Sequence, residues 1–363
     1  MNTTVPARMT AITMARFGGP EVLERATVDV PSVGEDDVLI RVAYCGVCRH
    51  DLLTRAGAFP RIDLPVILGH QVSGHIVAMG AAVADCSIGD RVMSMIYTGC
   101  GGCPACGDGN QALCLDERPR FLGEDVDGGY AEYVKVRADT IVPVPDEVSL
   151  KAASVVICTV GTAYHALVTR AAIQPGETVV LTGASGGVGI HALRLARLLG
   201  ARTIAITSSE HRRAGLVAAG ADEVVVAPER DFARQVKALT GGRGADAVIE
   251  IVGAATLSAS IHAVRSGGRV VMLGNVEGLP AEIRPAHFIL KEISLVGTKS
   301  CTADEVARAL ALIRTGELAV DVGEAIPLAD AARLHERMDA NAAEGRLVLE
   351  VAGEAPSLRP KSC

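Results

Sequence analysis

The chain has 363 residues, enough for two domains that each bury a core. Apolar residues make up 49% and charged residues 21%, which excludes a disordered or low-complexity protein. The net charge of −7 is spread without long runs of one sign, which argues against nucleic acid as the main partner.

No window holds eighteen uninterrupted apolar residues, so no membrane span is expected. The first residues lack an apolar core behind a basic start, and the expected location is the cytoplasm. Ten cysteines in such a chain suggest metal before disulfides.

In chain order, residues 1–160 are dominated by short β-like runs punctuated by Gly, Pro and Asp. These are Val38–Ala43, Gly74–Met79, Arg91–Ile96, Ala131–Val136 and Thr140–Val144, the pattern of an irregular β-barrel. From about 160, strand and helix signals alternate through Val179–Thr182, Thr203–Thr207, Glu223–Val226, Ala247–Ile251, Arg269–Leu273 and Ile293–Val296. Helical stretches such as Asp231–Leu239 and Thr256–Val264 lie between them, which predicts a six-stranded parallel sheet covered on both faces. After 297 come helices over Ala303–Arg314 and Leu328–Asn341 and a strand over Arg346–Val351, expected to return to the first domain. The expected domains are therefore 1–159 with 298–363, and 160–297. The tail Gly353–Cys363 is expected to fray.

The run Thr178–Ala201 organises the second domain. A short apolar strand meets the turn Gly183-Ala184-Ser185-Gly186-Gly187-Val188-Gly189, and apolar residues then return at helical spacing. Such a turn lets backbone approach a pyrophosphate, whose charge suits the N–H groups at a helix start. A structural strand-to-helix bend would use the same glycines. The following strand at the βαβ interval favours dinucleotide binding. Ala184 stands at the first position of the fingerprint where Gly is usual.

Cys100, Cys103, Cys106 and Cys114 give the sharpest signal. Three thiols at intervals of three in a Gly/Pro loop, closed by a fourth, describe a structural Zn²⁺ site. An iron–sulfur run is the competing reading, but the last spacing does not match it. Cys48, His70 and Cys158 are dispersed and singly weak. A buried cysteine is usually inert, and His75 could stand for His70 on composition alone.

Taken together, these segments resemble the zinc-dependent alcohol dehydrogenases of the medium-chain dehydrogenase/reductase family, over residues 8–351. The resemblance rests on Gly46-Val-Cys48-x-x-Asp51, Gly69-His70, the four-cysteine lobe, Cys158 and Gly186-Gly-Val-Gly189 in the family's order. It implies α/β plus β architecture: a GroES-like irregular β-barrel catalytic domain and a Rossmann cofactor domain. It implies two Zn²⁺ per chain, a catalytic one on Cys48, His70 and Cys158 and a structural one on the four-cysteine lobe. Two sulfurs and an imidazole with an open fourth place are a known catalytic set. Cys45 would be packing, Asp51 would orient His70, and Arg49 would meet the cofactor pyrophosphate.

Two residues depart from the family. His50 stands where a Ser or Thr usually relays the alcohol proton, and imidazole can relay one near neutrality. Gln71 replaces the usual Glu, which is expected to leave the metal more electrophilic.

The second strand of the cofactor domain ends at Thr207 and not at an acidic residue, with Ser208, Ser209, Glu210, His211, Arg212 and Arg213 following. Hydroxyls with Arg212 suit a 2′-phosphate, so NADP(H) is expected over NAD(H), with Glu210 as counter-evidence. Gly274 and Asn275 lie where relatives contact the nicotinamide amide. The expected reaction is hydride transfer between the cofactor and an alcohol, aldehyde or ketone in the interdomain cleft. Within the family the chain is similar to a branch of acryloyl-CoA reductases, through Leu64–His70, Thr182–His191, Leu273–Val276 and Phe288–Lys291. An enoyl reductase is therefore the alternative, and a non-catalytic nucleotide-binding zinc protein the second. The partner is a small-molecule substrate, with Phe59, Ile96 and Phe121 as guesses for its pocket. The short segment from Cys114 to Cys158 resembles the tetrameric bacterial type more than the dimeric one.

Overall fold

The structure, a computed structural model, describes residues 5–59, 61–340 and 345–354. It opens with an antiparallel hairpin of β1 (Arg8–Met14) and β2 (Leu23–Asp29). Next come β3 (Asp37–Gly46), α1 (Arg49–Arg55), β4 (Val66–Ile67), β5 (Gln71–Met79), β6 (Arg91–Ser94) and β7 (Tyr97–Thr98). After them follow α2 (Pro104–Gly107), β8 (Arg120–Phe121), β9 (Tyr133–Arg137), β10 (Ile141–Pro143) and α3 (Leu150–Val156). Residues Ile157–Gly161 and His165–Arg170 are π-helical turns on either side of α4 (Thr162–Tyr164). This helical run, Leu150–Arg170, is long and apolar enough to cross a bilayer, but 67% of its apolar window is buried inside the protein, as in a core helix.

Then strands and helices alternate: β11 (Thr178–Leu181), α5 (Gly187–Leu198), β12 (Arg202–Thr207), α6 (Arg213–Ala218), β13 (Glu223–Val226), α7 (Ala233–Leu239) and β14 (Ala245–Glu250). The series ends with α8 (Ala254–Ala263), β15 (Val264–Met272), α9 (Pro285–Lys291) and β16 (Ser294–Gly297). The last elements are α10 (Ala303–Arg314), β17 (Ala325–Pro327), α11 (Ala331–Asp339) and β18 (Val348–Glu350).

Two compact units result. One comprises 1–158, 302–315 and 320–363, and the other 159–301 and 316–319. The first is built on a mixed sheet ordered β10-β6-β5-β3-β18-β17, with β9 also on β3. Strand β3 is buried along nearly its whole length, which is why its sequence runs apolar without alternation. The hairpin β1–β2 has no counterpart in the sequence reading, because the polar positions of Leu23–Asp29 hide its strand character.

The second unit is a six-stranded parallel sheet ordered β13-β12-β11-β14-β15-β16. All six expected strands are present. The expected helix over Thr256–Val264 runs instead over Ala254–Ala263, because Val264 already pairs with Ala245 as the start of β15. The expected helix end at Asn341 and the tail from 355 to Cys363 lie outside the described residues.

Helix α11 is tied to the barrel through His335, which is fully buried. Its Nδ1 lies 3.3 Å from Arg55 Nη1 and its Nε2 lies 3.0 Å from the Tyr130 hydroxyl. An arginine only donates, so Nδ1 accepts and Nε2 carries the proton. Burial holds His335 down to about 4, with the Arg55 charge adding to it. The unfolded chain takes up this proton near 6.5, so the stability from neutral His335 is complete above 6.5 and drains away as pH falls toward 4. The expected loss is about 3 kcal/mol, at 1.36 kcal/mol per pH unit. Urea unfolding at pH 7 and pH 4.5 checks it: His335→Gln should flatten the pH dependence, and equal slopes in the two proteins would refute it.

Candidate active site

Cys48, His70 and Cys158 come together although 110 residues separate the first from the last. Their ligating atoms all lie within 4.8 Å of one another. Cys48 follows β3 and N-caps α1: its Sγ accepts the His50 N–H at 3.3 Å, while Asp51 Oδ2 accepts the Cys48 N–H at 2.8 Å. This reciprocal capping fixes the ligand's backbone before any metal binds.

His70 stands just before β5, after Gly69, where φ is +103° and a Cβ would stand 2.5 Å from the Tyr130 ring, so no side chain fits. The Nδ1 of His70 faces Asp51 Oδ1 at 3.1 Å, and its Nε2 lies 3.3 Å from Cys48 Sγ. Because a carboxylate accepts, Nδ1 carries a proton toward Asp51, and Nε2 is the ring nitrogen turned to the sulfurs. Cys158 sits on the first π-helical turn, an irregularity frequent at functional sites.

The electrostatics suit a cation. The Cys158 thiol hydrogen-bonds to Cys48 and, with the His70 and Arg346 charges, holds Cys48 well below the ordinary thiol range. Burial opposes the His70 cation, yet Asp51 and Cys48 together hold that histidine well above its usual value. A buried sulfur anion, a second thiol and an imidazole, the last two giving up their protons to a bound metal, form the donor set that zinc selects. Among the described residues no fourth His, Cys, Asp or Glu joins the group. Cys45 is buried, its thiol turned to the Gly46 carbonyl at 3.7 Å and pushed up by burial, as packing requires.

Arg346, Glu124 and Thr54 escaped the sequence reading. Arg346 Nη2 donates to Gln71 Oε1 at 3.1 Å, and its charge acts on both Cys48 and Cys158. The Gln71 amide nitrogen lies 3.4 Å from His70 Nε2, so a neutral amide bridges the ligand to the arginine. His50 is stacked between Phe59 and Phe121, each ring centroid 4.7 Å away at 22°. Glu124 Oε1 holds His50 Nε2 at 2.7 Å and also accepts from the Thr54 hydroxyl at 2.5 Å. Phe121 meets His70 edge-on at 5.1 Å, so one of the guessed pocket residues borders a ligand, while Phe59 stacks on the neighbouring His50. Ile96 is buried in the same unit. Arg49 is exposed at the start of α1.

The four thiols of Cys100, Cys103, Cys106 and Cys114 also cluster within 4.8 Å. Sulfur separations of 4.0 Å (Cys100–Cys106) and 3.9 Å (Cys103–Cys114) exclude disulfides. They approach the ~3.8 Å that four Zn–S bonds of 2.3 Å require in a tetrahedron. Backbone N–H groups of Leu115 and Cys106 bring the Cys103 thiol down to about 6.

In the second unit, Gly183 (φ +57°) turns the chain after β11, and Gly186 caps α5 without a side-chain hydrogen bond. A Cβ on Gly189 would stand 2.3 Å from the Gly183 carbonyl and 2.6 Å from Ala184 Cα, so only glycine lets this helix start approach the strand. Ser185, Gly187 and Val188 complete the turn, and its uncapped N–H end suits an anion. Thr207 is buried at the end of β12, Ser208 and Arg212 are exposed, and Glu210 is held by Arg213 at 2.5 Å. Gly274 and Asn275 follow β15, with Asn275 Nδ2 donating to the Leu279 carbonyl at 3.2 Å.

Residues 34–146 match the alcohol dehydrogenase GroES-like domain and residues 187–315 the zinc-binding dehydrogenase domain. The chain is 36% identical over 334 residues to the acryloyl-coenzyme A reductase of Metallosphaera sedula, covering 91% of this chain and 96% of the relative. This chain belongs to the medium-chain, zinc-binding dehydrogenase family. The alcohol dehydrogenase of Geobacillus stearothermophilus is 33% identical over 348 residues, covering 94% of this chain and all of that enzyme. The crystal structure of AibC superposes with a TM-score of 0.90 at 40% identity, covering 95% of this chain and 96% of that one. The β-barrel catalytic domain and the Rossmann sheet are thus those of medium-chain dehydrogenases, and the chain is an oxidoreductase.

Proposed function

We propose that the chain is a zinc-dependent oxidoreductase that moves hydride between NADP(H) and an alcohol, aldehyde or ketone. The observation that carries this is the set of three donors, Cys48, His70 and Cys158, with no fourth protein ligand among the described residues. Structural zinc sites are closed, whereas three-ligand sites leave a place for substrate. Zinc there would supply a Lewis acid for a carbonyl oxygen. Asp51 holds the His70 tautomer, and Arg346 steadies the two sulfurs. His50, oriented by Glu124, is the residue placed to carry the alcohol proton. The four-cysteine lobe would hold the second, structural zinc.

A second reading is reduction of a double bond conjugated to a thioester carbonyl. It is favoured by His50, which sits clamped between two phenyl rings at the position where the family resemblance implies a Ser or Thr proton relay. The similarity to acryloyl-coenzyme A reductases points the same way. NADPH oxidation with aldehydes, ketones and enoyl-CoA thioesters, with and without chelator, tests both. Chelator-sensitive turnover of carbonyls supports the first reading, and turnover of the thioester alone supports the second. No turnover of either class would refute both.

NADP(H) is supported by the absence of a carboxylate at Thr207, by exposed Arg212, and by Arg213 occupying Glu210. The expected kcat/KM for NADPH exceeds that for NADH by at least tenfold, worth about 1.4 kcal/mol. Arg212→Ala should erase the difference, and an NADH preference in the parent enzyme would overturn the assignment. A homo-oligomer, tetrameric by resemblance, would find apolar surface at Ile289 and Leu290 of α9, which are 73% and 82% exposed.

A further inference from the structure

Glu250, the last residue of β14, is fully buried, yet no cation neutralises it among the described residues. Instead, five donors converge on its side chain. Oε1 accepts from Thr182 Oγ1 (2.8 Å), Val252 N (2.9 Å), Gly253 N (2.9 Å) and Thr256 Oγ1 (2.7 Å), and Oε2 accepts from Ser260 Oγ. A carboxylate offers acceptors only, so its lone pairs are spent on these groups. A buried charge with this many oriented dipoles costs far less than a bare one, but more than an apolar residue would. That expense calls for a reason beyond packing.

The place supplies one. The chain leaves β11 toward β12 and β13 on one side and returns as β14 on the other, so the strand order reverses between β11 and β14. Open α/β sheets bind ligands at such a point, beyond the carboxyl ends of the strands. Glu250 joins three loops there. Its carboxylate holds Thr182, which immediately precedes Gly183, and also the Val252–Gly253 turn. Its backbone carbonyl accepts from Leu273 N (2.8 Å) and Gly274 N (3.2 Å), and Val276 N reaches the Val252 carbonyl at 2.9 Å. The loops are pressed together: a Cβ on Gly274 would lie 2.1 Å from the Ile251 carbonyl, and one on Gly253 2.6 Å from Asn275 Cα.

We propose that Glu250 is a positioning residue that fixes the separation between the turn Gly183–Gly189 and the loop Gly274–Asn275, so that both halves of a dinucleotide seat together. The proposal rests on the cofactor reading of that turn. Reach matters here more than charge. Glutamine keeps an acceptor oxygen for the four groups on Oε1 and can donate to the Ser260 hydroxyl, whereas aspartate keeps the charge but is one methylene short.

The test is equilibrium binding, by titration calorimetry, of NADPH and of its fragment 2′-phospho-ADP-ribose, which lacks the nicotinamide. Glu250→Asp and Glu250→Ala should weaken NADPH by about 30-fold, while the fragment changes by less than about threefold. Glu250→Gln should stay within about threefold for both ligands. Should Glu250→Ala not fold, Thr182→Val removes the link to Glu250, together with the one that the Ile251 N–H makes to Thr182 Oγ1 at 2.8 Å, and should weaken NADPH alone by about fivefold. Equal losses for dinucleotide and fragment would overturn the spacing role while leaving the cofactor site in place. If the parent protein bound neither ligand, the cofactor reading itself would fall with it.

Discussion

Cys48→Ser is expected to halve the bound zinc, from two ions per chain to one, and to lower kcat/KM by at least about three orders of magnitude. The size follows from losing a Lewis acid worth several kcal/mol, at tenfold per 1.36 kcal/mol. The fold should survive, because Ser is among the preferred N-cap residues and its oxygen can take the His50 N–H that Cys48 Sγ now accepts. What serine cannot do is offer an anionic sulfur beside His70 and Cys158. His70→Ala is a poorer probe, since it strands the buried Asp51 carboxylate without the ring that satisfies it. Metal analysis, steady-state kinetics and a melting curve on Cys48→Ser check the three parts separately. Two zinc ions retained together with parental activity would refute the ligand assignment.

The parallel sheet was legible because its strands read as unbroken apolar runs divided by glycine turns. Thr178–Leu181 and Ala245–Glu250 are buried at every position. The clustering of the four-cysteine lobe was legible because its four thiols lie within fifteen residues, where spacing alone constrains geometry. The dispersed trio needed the family resemblance. Composition left His75 open as a ligand, and the structure places it in β5 opposite Arg41, away from the group. The partners of the site were invisible for a common reason. Arg346 meets Gln71 across 275 positions and Glu124 meets His50 across 74, and such pairs leave no periodic trace. Glu250 was hidden inside a strand, where one acidic residue after an apolar run reads as a strand end.

Removing the lobe's metal is expected to cost activity without touching the Cys48–His70–Cys158 set. Residues 99–115 have little apolar core of their own: Cys103, Cys106 and Ala112 are buried, while Leu113 and Leu115 are 51% and 72% exposed. Their regular structure amounts to one short helix and one 3₁₀ turn, so the four sulfurs supply most of the cross-linking. The lobe also bridges β7 and β8, which pair as Tyr97 with Phe121 and Thr98 with Arg120. Phe121 in turn stacks on His50 and touches Tyr97 edge-on at 5.0 Å, and Glu124 follows three residues later. A loosened lobe therefore frees the wall that holds His50. Cys103→Ala combined with Cys106→Ala should leave one zinc per chain and open 100–114 to protease below the main melting transition. KM should rise and kcat fall by about tenfold each, in the range seen when supports of a metal site are lost. Unchanged kinetics in a protein that has demonstrably lost one zinc would show that the lobe and the His50 wall are independent.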